Sequence, residues 1–129
     1  MVDTSVVIDL EAVDSALLPA ELAISALTLA ELAGGTHAAK DDDERARRQD
    51  MLQRVESAFE SLPFDSHCAR AHGRVCAAVE SGGRKVRGAH VVDLLIAATA
   101  IAHELPLYML NAKDLRGLDN LLEIVDLRR

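Results

Sequence analysis

The sequence predicts an α/β fold in which a small, mostly parallel sheet of about four or five short strands is flanked by helices. Short apolar runs alternate with longer stretches of helical periodicity along the whole chain. Half of the 129 residues are hydrophobic and only 2% are aromatic, so Leu, Val, Ile and Ala must build the core. This length predicts a single domain over residues 1–129.

Each element follows from its local pattern. The strand candidates are short runs of apolar residues at positions 2–4, 22–26, 107–110 and 122–125. Helices are predicted over residues 5–13, from Thr28 to Gly34, over the charged stretch 42–61, and from Ser66, as the capping residue, to Glu80. Parallel sheets bind ligands beyond the carboxyl ends of their strands, so polar residues at that edge are the first candidates for a site.

The most apolar helix of the chain begins with an acid. Asp93 directly precedes the run LLIAATAIA, which is apolar on nearly every side and therefore predicts a buried helix. An ionised carboxylate removed from water costs several kcal/mol unless something compensates it. The position of Asp93 therefore requires either a stabilising helix dipole or a partner of opposite charge.

Charge and cysteine usage limit the function classes. The net charge is −7, and residues 1–39 carry six acids and no Lys or Arg, which argues against a general nucleic-acid binder. Any polyanion must be met by a local basic patch or through bound cations. Cys68 and Cys76 are about 12 Å apart on one predicted helix, too far for a disulfide, which fits a reducing cytoplasm. The apolar run after Asp93 is too short to cross a membrane.

Three acids fall just past the carboxyl ends of predicted strands, and a fourth can reach the same edge. Asp3 ends the first strand, Glu31 lies one turn into the helix after the second, and Asp114 follows the strand at 107–110. Asp93 begins a helix that can reach the same edge. Each has a local alternative: Glu31 completes a capping box with Thr28, Asp93 favours the helix dipole, and Asp114 caps a short turn.

Carboxylates gathered at one edge repel one another, so some must protonate or bind a cation. Hard oxygen ligands of this kind suit Mg²⁺ or Mn²⁺. Motifs for other chemistries are missing from the sequence, including the Walker A loop, GxGxxG and HExxH. His90 and His103 flank the buried helix and are interpreted as ordinary end residues, and His72 as a core or boundary residue.

The sequence resembles PIN-domain ribonucleases, specifically the VapC-type toxins of bacterial and archaeal toxin–antitoxin pairs. The resemblance covers essentially the whole chain. It rests on VDTS at residues 2–5, LAEL at 29–32, VVDLLIAATA at 91–100 and LNAKD at 110–114, together with the helix and loop at 69–88. It implies a three-layer α/β/α sandwich.

The resemblance also implies the chemistry. Asp3, Glu31, Asp93 and Asp114 would form a catalytic and metal-binding cluster for Mg²⁺ or Mn²⁺. The supporting polar residues would be Thr4, Ser5 and Asn111. Members of the family hydrolyse RNA phosphodiester bonds, leave 5′-phosphate and 3′-hydroxyl ends, commonly form homodimers, and are inhibited by a cognate antitoxin.

Two departures from the family pattern keep an alternative open. Met109 stands where the family usually has Thr, and relatives often have one or two more apolar residues before Asp3. The alternative is a catalytically weakened protein that acts mainly by binding an antitoxin or a second copy. A receiver-like phosphate-handling domain is disfavoured, because Asp3 is followed by Thr4 and not by a second acid.

The RNA backbone must still approach an acidic protein. The best candidates for phosphate contacts are Arg84, Lys85 and Arg87, on the loop that leads into the Asp93 helix. A solvated loop is the alternative interpretation. The basic residues at 45, 47 and 48 are interleaved with acids and predict a solvated helix face instead.

Overall fold

The computed structural model describes residues 1–84 and 90–127. Its helices are α1 (Thr4–Ile8), α2 (Ala26–His37), α3 (Asp42–Ala58), α4 (Ser66–Ser81) and α5 (Val91–Ala102). Its strands are β1 (Ala23–Ser25), β2 (Glu60–Leu62), β3 (Leu107–Met109) and β4 (Ile124–Asp126). Short 3₁₀ helices span Leu10–Ala12, Ser15–Leu17 and Ala112–Leu115. The predicted α/β class is confirmed.

The strands form two parallel pairs, joined by the N-terminal residues. β1 pairs with β2 and β3 pairs with β4, both in parallel. Between the pairs, the Val2 amide donates to the Ala23 carbonyl, and the Asp3 amide donates to the Tyr108 carbonyl. The predicted strand at residues 2–4 is thus a single parallel bridge between Val2 and Tyr108. It ends early because α1 already begins at Thr4.

Side chains alternate between two apolar layers along the central residues. Val2 and Ile24 are fully buried on the side of α1 and α3. Leu107 and Met109 are buried on the opposite side, with the apolar residues of α4 and α5. This period of two is the strand pattern. Helices therefore cover both faces, as expected for a three-layer sandwich.

Several predicted helix boundaries are wrong. The helix predicted over residues 5–13 ends at Ile8, and the one predicted over 42–61 ends at Ala58, ahead of β2. α2 begins at Ala26, with Ser25 as its N-cap, and continues through Gly34 to His37. A glycine inside a helix costs about 1 kcal/mol, which tertiary contacts can offset. Here Arg48 of α3 donates to the Gly35 carbonyl and so supports the continued turn. Asp65 caps α4 in place of Ser66, through a bond from the Cys68 amide at 3.1 Å.

Two further expectations concern the cysteines and membrane insertion. Cys68 and Cys76 are both free thiols, as their spacing on α4 requires. No helix in residues 1–84 and 90–127 combines the length and apolarity needed to cross a membrane.

Candidate active site

Asp3 is the N-cap of α1 and the most deeply buried of the candidate acids. Only 6% of the residue is exposed. Its Oδ1 accepts a hydrogen bond from the Ser5 hydroxyl at 2.6 Å and from the Val6 amide at 3.4 Å. Burial, and then the charges of Asp93 and Glu31, raise the pKa of Asp3 to about 6, although the two hydrogen bonds lower it. The fold thus holds a carboxylate where its charge is poorly compensated.

Glu31 projects from the second turn of α2 and is held by a side chain of α1. The Thr4 hydroxyl donates to Glu31 Oε1 at 2.5 Å. The Thr4 hydroxyl oxygen also lies 3.1 Å from the hydroxyl oxygen of Thr28, which is fully buried. The capping-box interpretation of Thr28 and Glu31 is wrong, because α2 starts two residues before Thr28. Both side chains point instead toward the N-terminal residues.

Asp93 lies in the first turn of α5, half-buried beside the helix N-cap residue His90. Its Oδ2 is 3.5 Å from His90 Nδ1. Burial raises the pKa of Asp93, and the charge of Asp114 raises it further, while His90 opposes the shift. The helix dipole therefore does not suffice to keep the pKa of Asp93 at its ordinary value.

Asp114 lies inside the 3₁₀ helix Ala112–Leu115, so its interpretation as a cap of a following turn is wrong. Asn111 is the N-cap residue, and its carbonyl accepts from the Asp114 amide at 3.0 Å. Among the described residues, one ligand atom each of His90, Asp93 and Asp114 lies within 4.8 Å of the others. Carboxylate oxygens and an imidazole nitrogen are a donor set that suits Mn²⁺ and, for the oxygens, Mg²⁺.

The four predicted acids form a chain of electrostatic neighbours. Asp3 is affected by the charges of Glu31 and Asp93, and Asp93 by that of Asp114. Asp3 and Glu31 lie outside the tight group of His90, Asp93 and Asp114. The sequence predicts that all four acids gather at one edge of the sheet. It does not show that Asp93 and Asp114 group with His90, apart from Asp3 and Glu31.

Residues 1–120 match the family model described as the PIN domain. The chain belongs to the PIN-domain family. Ribonuclease VapC5 of Mycobacterium tuberculosis is 40% identical over 109 residues, which cover 82% of this chain and 78% of that protein.

Solved structures give the same relationship. The VapBC-5 structure from M. tuberculosis, a member of the VapBC family of toxin–antitoxin systems, has a TM-score of 0.83 at 37% identity. The match covers 99% of this chain and 96% of that one. VapBC2 from Rickettsia felis, bound to a promoter DNA fragment, has a TM-score of 0.75 at 25% identity and covers 98% of both chains.

The supporting residues of this PIN domain have distinct local roles. Thr4 contacts Glu31, and Ser5 contacts Asp3 while also accepting from the Leu110 amide at 3.4 Å. Met109 is 1% exposed and packs in the apolar layer with α4 and α5. The sulfur-containing side chain that replaces the usual family Thr thus fills the core.

Sequence reasoning missed His90 as a member of this site. Interpreted locally, it was only a helix-end residue, and it is indeed the N-cap residue of α5. Its spacing of three residues from Asp93 puts both side chains on one side of the helix start, which is the only signal in the sequence. Of the predicted phosphate contacts, Arg84 is described and half-buried, whereas Lys85 and Arg87 lie outside the described residues.

Proposed function

We propose that this PIN domain is a metal-dependent endoribonuclease and the toxin of a toxin–antitoxin pair. The observation that carries the proposal is the burial of Asp3, which is only 6% exposed and is affected by the charges of Glu31 and Asp93. A buried carboxylate beside other acids calls for a cation. PIN-family relatives named Ribonuclease VapC support the activity.

The proposed ligands are Asp3, Glu31, Asp93 and Asp114, with His90 adjoining them. A bound Mg²⁺ or Mn²⁺ would neutralise charge on the scissile phosphate and lower the pKa of a water molecule for attack. Ser5 and the Val6 amide fix the orientation of Asp3 by hydrogen bonding to Oδ1. Thr4 fixes Glu31 in the same way. Both acids are therefore held in place before substrate arrives.

An RNA-cleavage assay tests the proposal. The parent protein and its Asp3→Asn and Asp93→Asn variants are incubated with total RNA in Mg²⁺, Mn²⁺ or chelator. We expect cleavage by the parent only with metal, and a loss of at least a hundredfold in both variants. Asp119→Asn is the matched control, because Asp119 is exposed and is not one of the proposed ligands. Equal cleavage by all four proteins would refute the assignment.

We further propose that an antitoxin binds along α1 and α3. A groove of about 500 Å³ lies there, lined mainly by apolar residues that include Leu10, Met51 and Ile8. Ile8 is 53% exposed. The first 39 residues contain no Lys or Arg, so the surroundings favour a partner segment that is apolar with basic flanks. The similar VapBC structures support a protein partner of this kind.

Co-expression with the product of an adjacent short reading frame tests this partner. Ile8→Glu should abolish co-purification, because it places a charge in the apolar contact, while metal-dependent RNA cleavage remains at the parent level. Retained co-purification of Ile8→Glu would refute the groove as the binding surface. We also propose that the protein forms a homodimer and acts in the reducing cytoplasm. Sedimentation of the purified protein measures the oligomeric state.

A further inference from the structure

A second, polar cleft of about 560 Å³ opens beside the acidic cluster. Asp114 and His90 contribute to its wall and also belong to the candidate metal group. The remaining polar lining is basic and consists of Arg84, Lys113 and Arg116. The cleft therefore places cationic side chains directly next to the proposed catalytic acids.

These three cationic side chains differ from three of the four arginines of α3, the exception being the exposed Arg47. Arg45, Arg48 and Arg54 each pair with an acid of the same helix. In the part of the chain that the structure describes, neither Arg84 nor Lys113 nor Arg116 forms an ion pair with a carboxylate. In a protein with a net charge of −7, positive charge left unpaired at one cleft favours an anionic ligand there.

Arg84 organises the cleft through the main chain. Its guanidinium donates to the Asp114 carbonyl at 3.3 Å and to the Arg116 carbonyl. It follows the end of α4, and its own amide donates to the Val79 carbonyl at 3.1 Å. Arg84 thus ties α4 to the segment that carries Lys113, Asp114 and Arg116. Both carbonyls accept hydrogen bonds from the same planar guanidinium group, and two such bonds restrict the segment more than a single one would.

We propose that this cleft binds the RNA backbone phosphate adjacent to the scissile phosphodiester. Lys113 and Arg116 contact the phosphate, and Arg84 is a positioning residue that holds both them and Asp114. The inference rests on the proposed ribonuclease function. An acidic protein can then bind RNA at an acidic site. The neighbouring phosphate is bound by the positive charges of Lys113 and Arg116, while the scissile phosphate lies beside the carboxylates.

The first experiment removes the charge from the cleft. Lys113→Gln/Arg116→Gln is compared with the parent and with Arg47→Gln, which removes an exposed charge from α3. The probe is a fluorescein-labelled single-stranded RNA, with binding measured by anisotropy in chelator over a range of KCl concentrations. We expect an affinity loss of about tenfold or more, and a salt slope lower by about 0.7 for each lost phosphate contact. Arg47→Gln should match the parent.

Steady-state cleavage with Mn²⁺ separates the possible failures. The double variant should raise KM with little change in kcat, because the subsite contacts a phosphate that does not react. If the parent cleaves RNA and the double variant keeps its KM and salt slope, the subsite is refuted and the ribonuclease stands. If the parent cleaves nothing, the ribonuclease fails, and the anisotropy result still supports or refutes phosphate binding.

A conservative variant tests the positioning role of Arg84. Arg84→Lys keeps the positive charge but cannot donate to both carbonyls in one plane. We expect a loss of about tenfold in Mn²⁺ affinity by calorimetry, as for other residues that orient metal ligands. Unchanged Mn²⁺ affinity and unchanged kcat in Arg84→Lys would overturn this role.

Discussion

Neutralising Asp3 should stabilise the metal-free protein even though it abolishes the proposed activity. In Asp3→Asn the amide oxygen can still accept from the Ser5 hydroxyl and the Val6 amide, which contact Oδ1 at present. The substitution therefore removes the charge of a residue that is only 6% exposed while leaving its hydrogen bonds. If a substitution at a proposed catalytic position raises the free energy of unfolding, the native residue there lowers the stability of the fold.

The expected magnitude follows from the pKa of Asp3. Folding raises it from 3.8 to about 6, chiefly by burial. Because the folded value is the higher one, the native state binds the proton more tightly, and stability falls as the pH rises between these two values. A difference of about 2 pH units corresponds to about 3 kcal/mol once the carboxylate is ionised. Asn carries no such penalty at any pH.

Urea denaturation in chelator, followed by circular dichroism at pH 4 and pH 7.5, measures this effect. We expect Asp3→Asn to raise the free energy of unfolding by up to about 3 kcal/mol at pH 7.5 and by much less at pH 4. Asp119→Asn, at an exposed position, should differ little from the parent. Added Mn²⁺ should stabilise the parent more than Asp3→Asn, because binding to the native state adds to its stability. A loss of stability at both pH values would refute the reasoning.

Three further outcomes are expected. Ser5→Ala removes a hydrogen bond that lowers the pKa of Asp3, so the pH needed for half-maximal Mn²⁺ binding should rise in calorimetric titrations; an unchanged pH profile would contradict this. Ile96→Ala, at a fully buried position of α5, should cost about 2–5 kcal/mol in urea denaturation, and a loss below about 1 kcal/mol would contradict the packing. Ser25→Ala removes the bond from the Leu27 amide to the α2 cap at 3.0 Å and should cost about 1 kcal/mol by the same method, whereas no loss would mean that another group caps α2.

The architecture was predictable because its signals are local. β1, β3 and β4 coincide with the short apolar runs, and α5 is the apolar stretch after Asp93, so the order and type of these elements follow from periodicity. β2 (Glu60–Leu62) was missed, because two of its three residues are polar and it follows directly on the charged helix predicted over residues 42–61. The start of α2 was not predictable in this way. Ser25 and Thr28 are both good caps, and the hydroxyl of Thr28 is instead next to that of Thr4, which is distant in sequence.

The same distinction applies to the candidate site. Asp3, Glu31 and Asp114 follow predicted strands, and this position predicted that they would gather, because the carboxyl ends of parallel strands share an edge. The division of the site depends on contacts between distant segments. Arg84 was predicted to contact an RNA phosphate. Its guanidinium instead donates to two main-chain carbonyls, 30 and 32 positions further along the chain. Such contacts follow from tertiary packing alone.

The central position of the N-terminal residues determines when this site can form. Met1 and Asp3 exchange backbone hydrogen bonds with Tyr108, and Ser5 accepts from Leu110, 105 residues later in the chain. During synthesis the first acid emerges long before its partners, and contacts of such long range form late in folding. An unfinished chain therefore cannot assemble the acidic cluster. Under the proposed ribonuclease function, we expect each nascent copy to be inactive until nearly all of it has been translated, which protects the RNAs of its own ribosome.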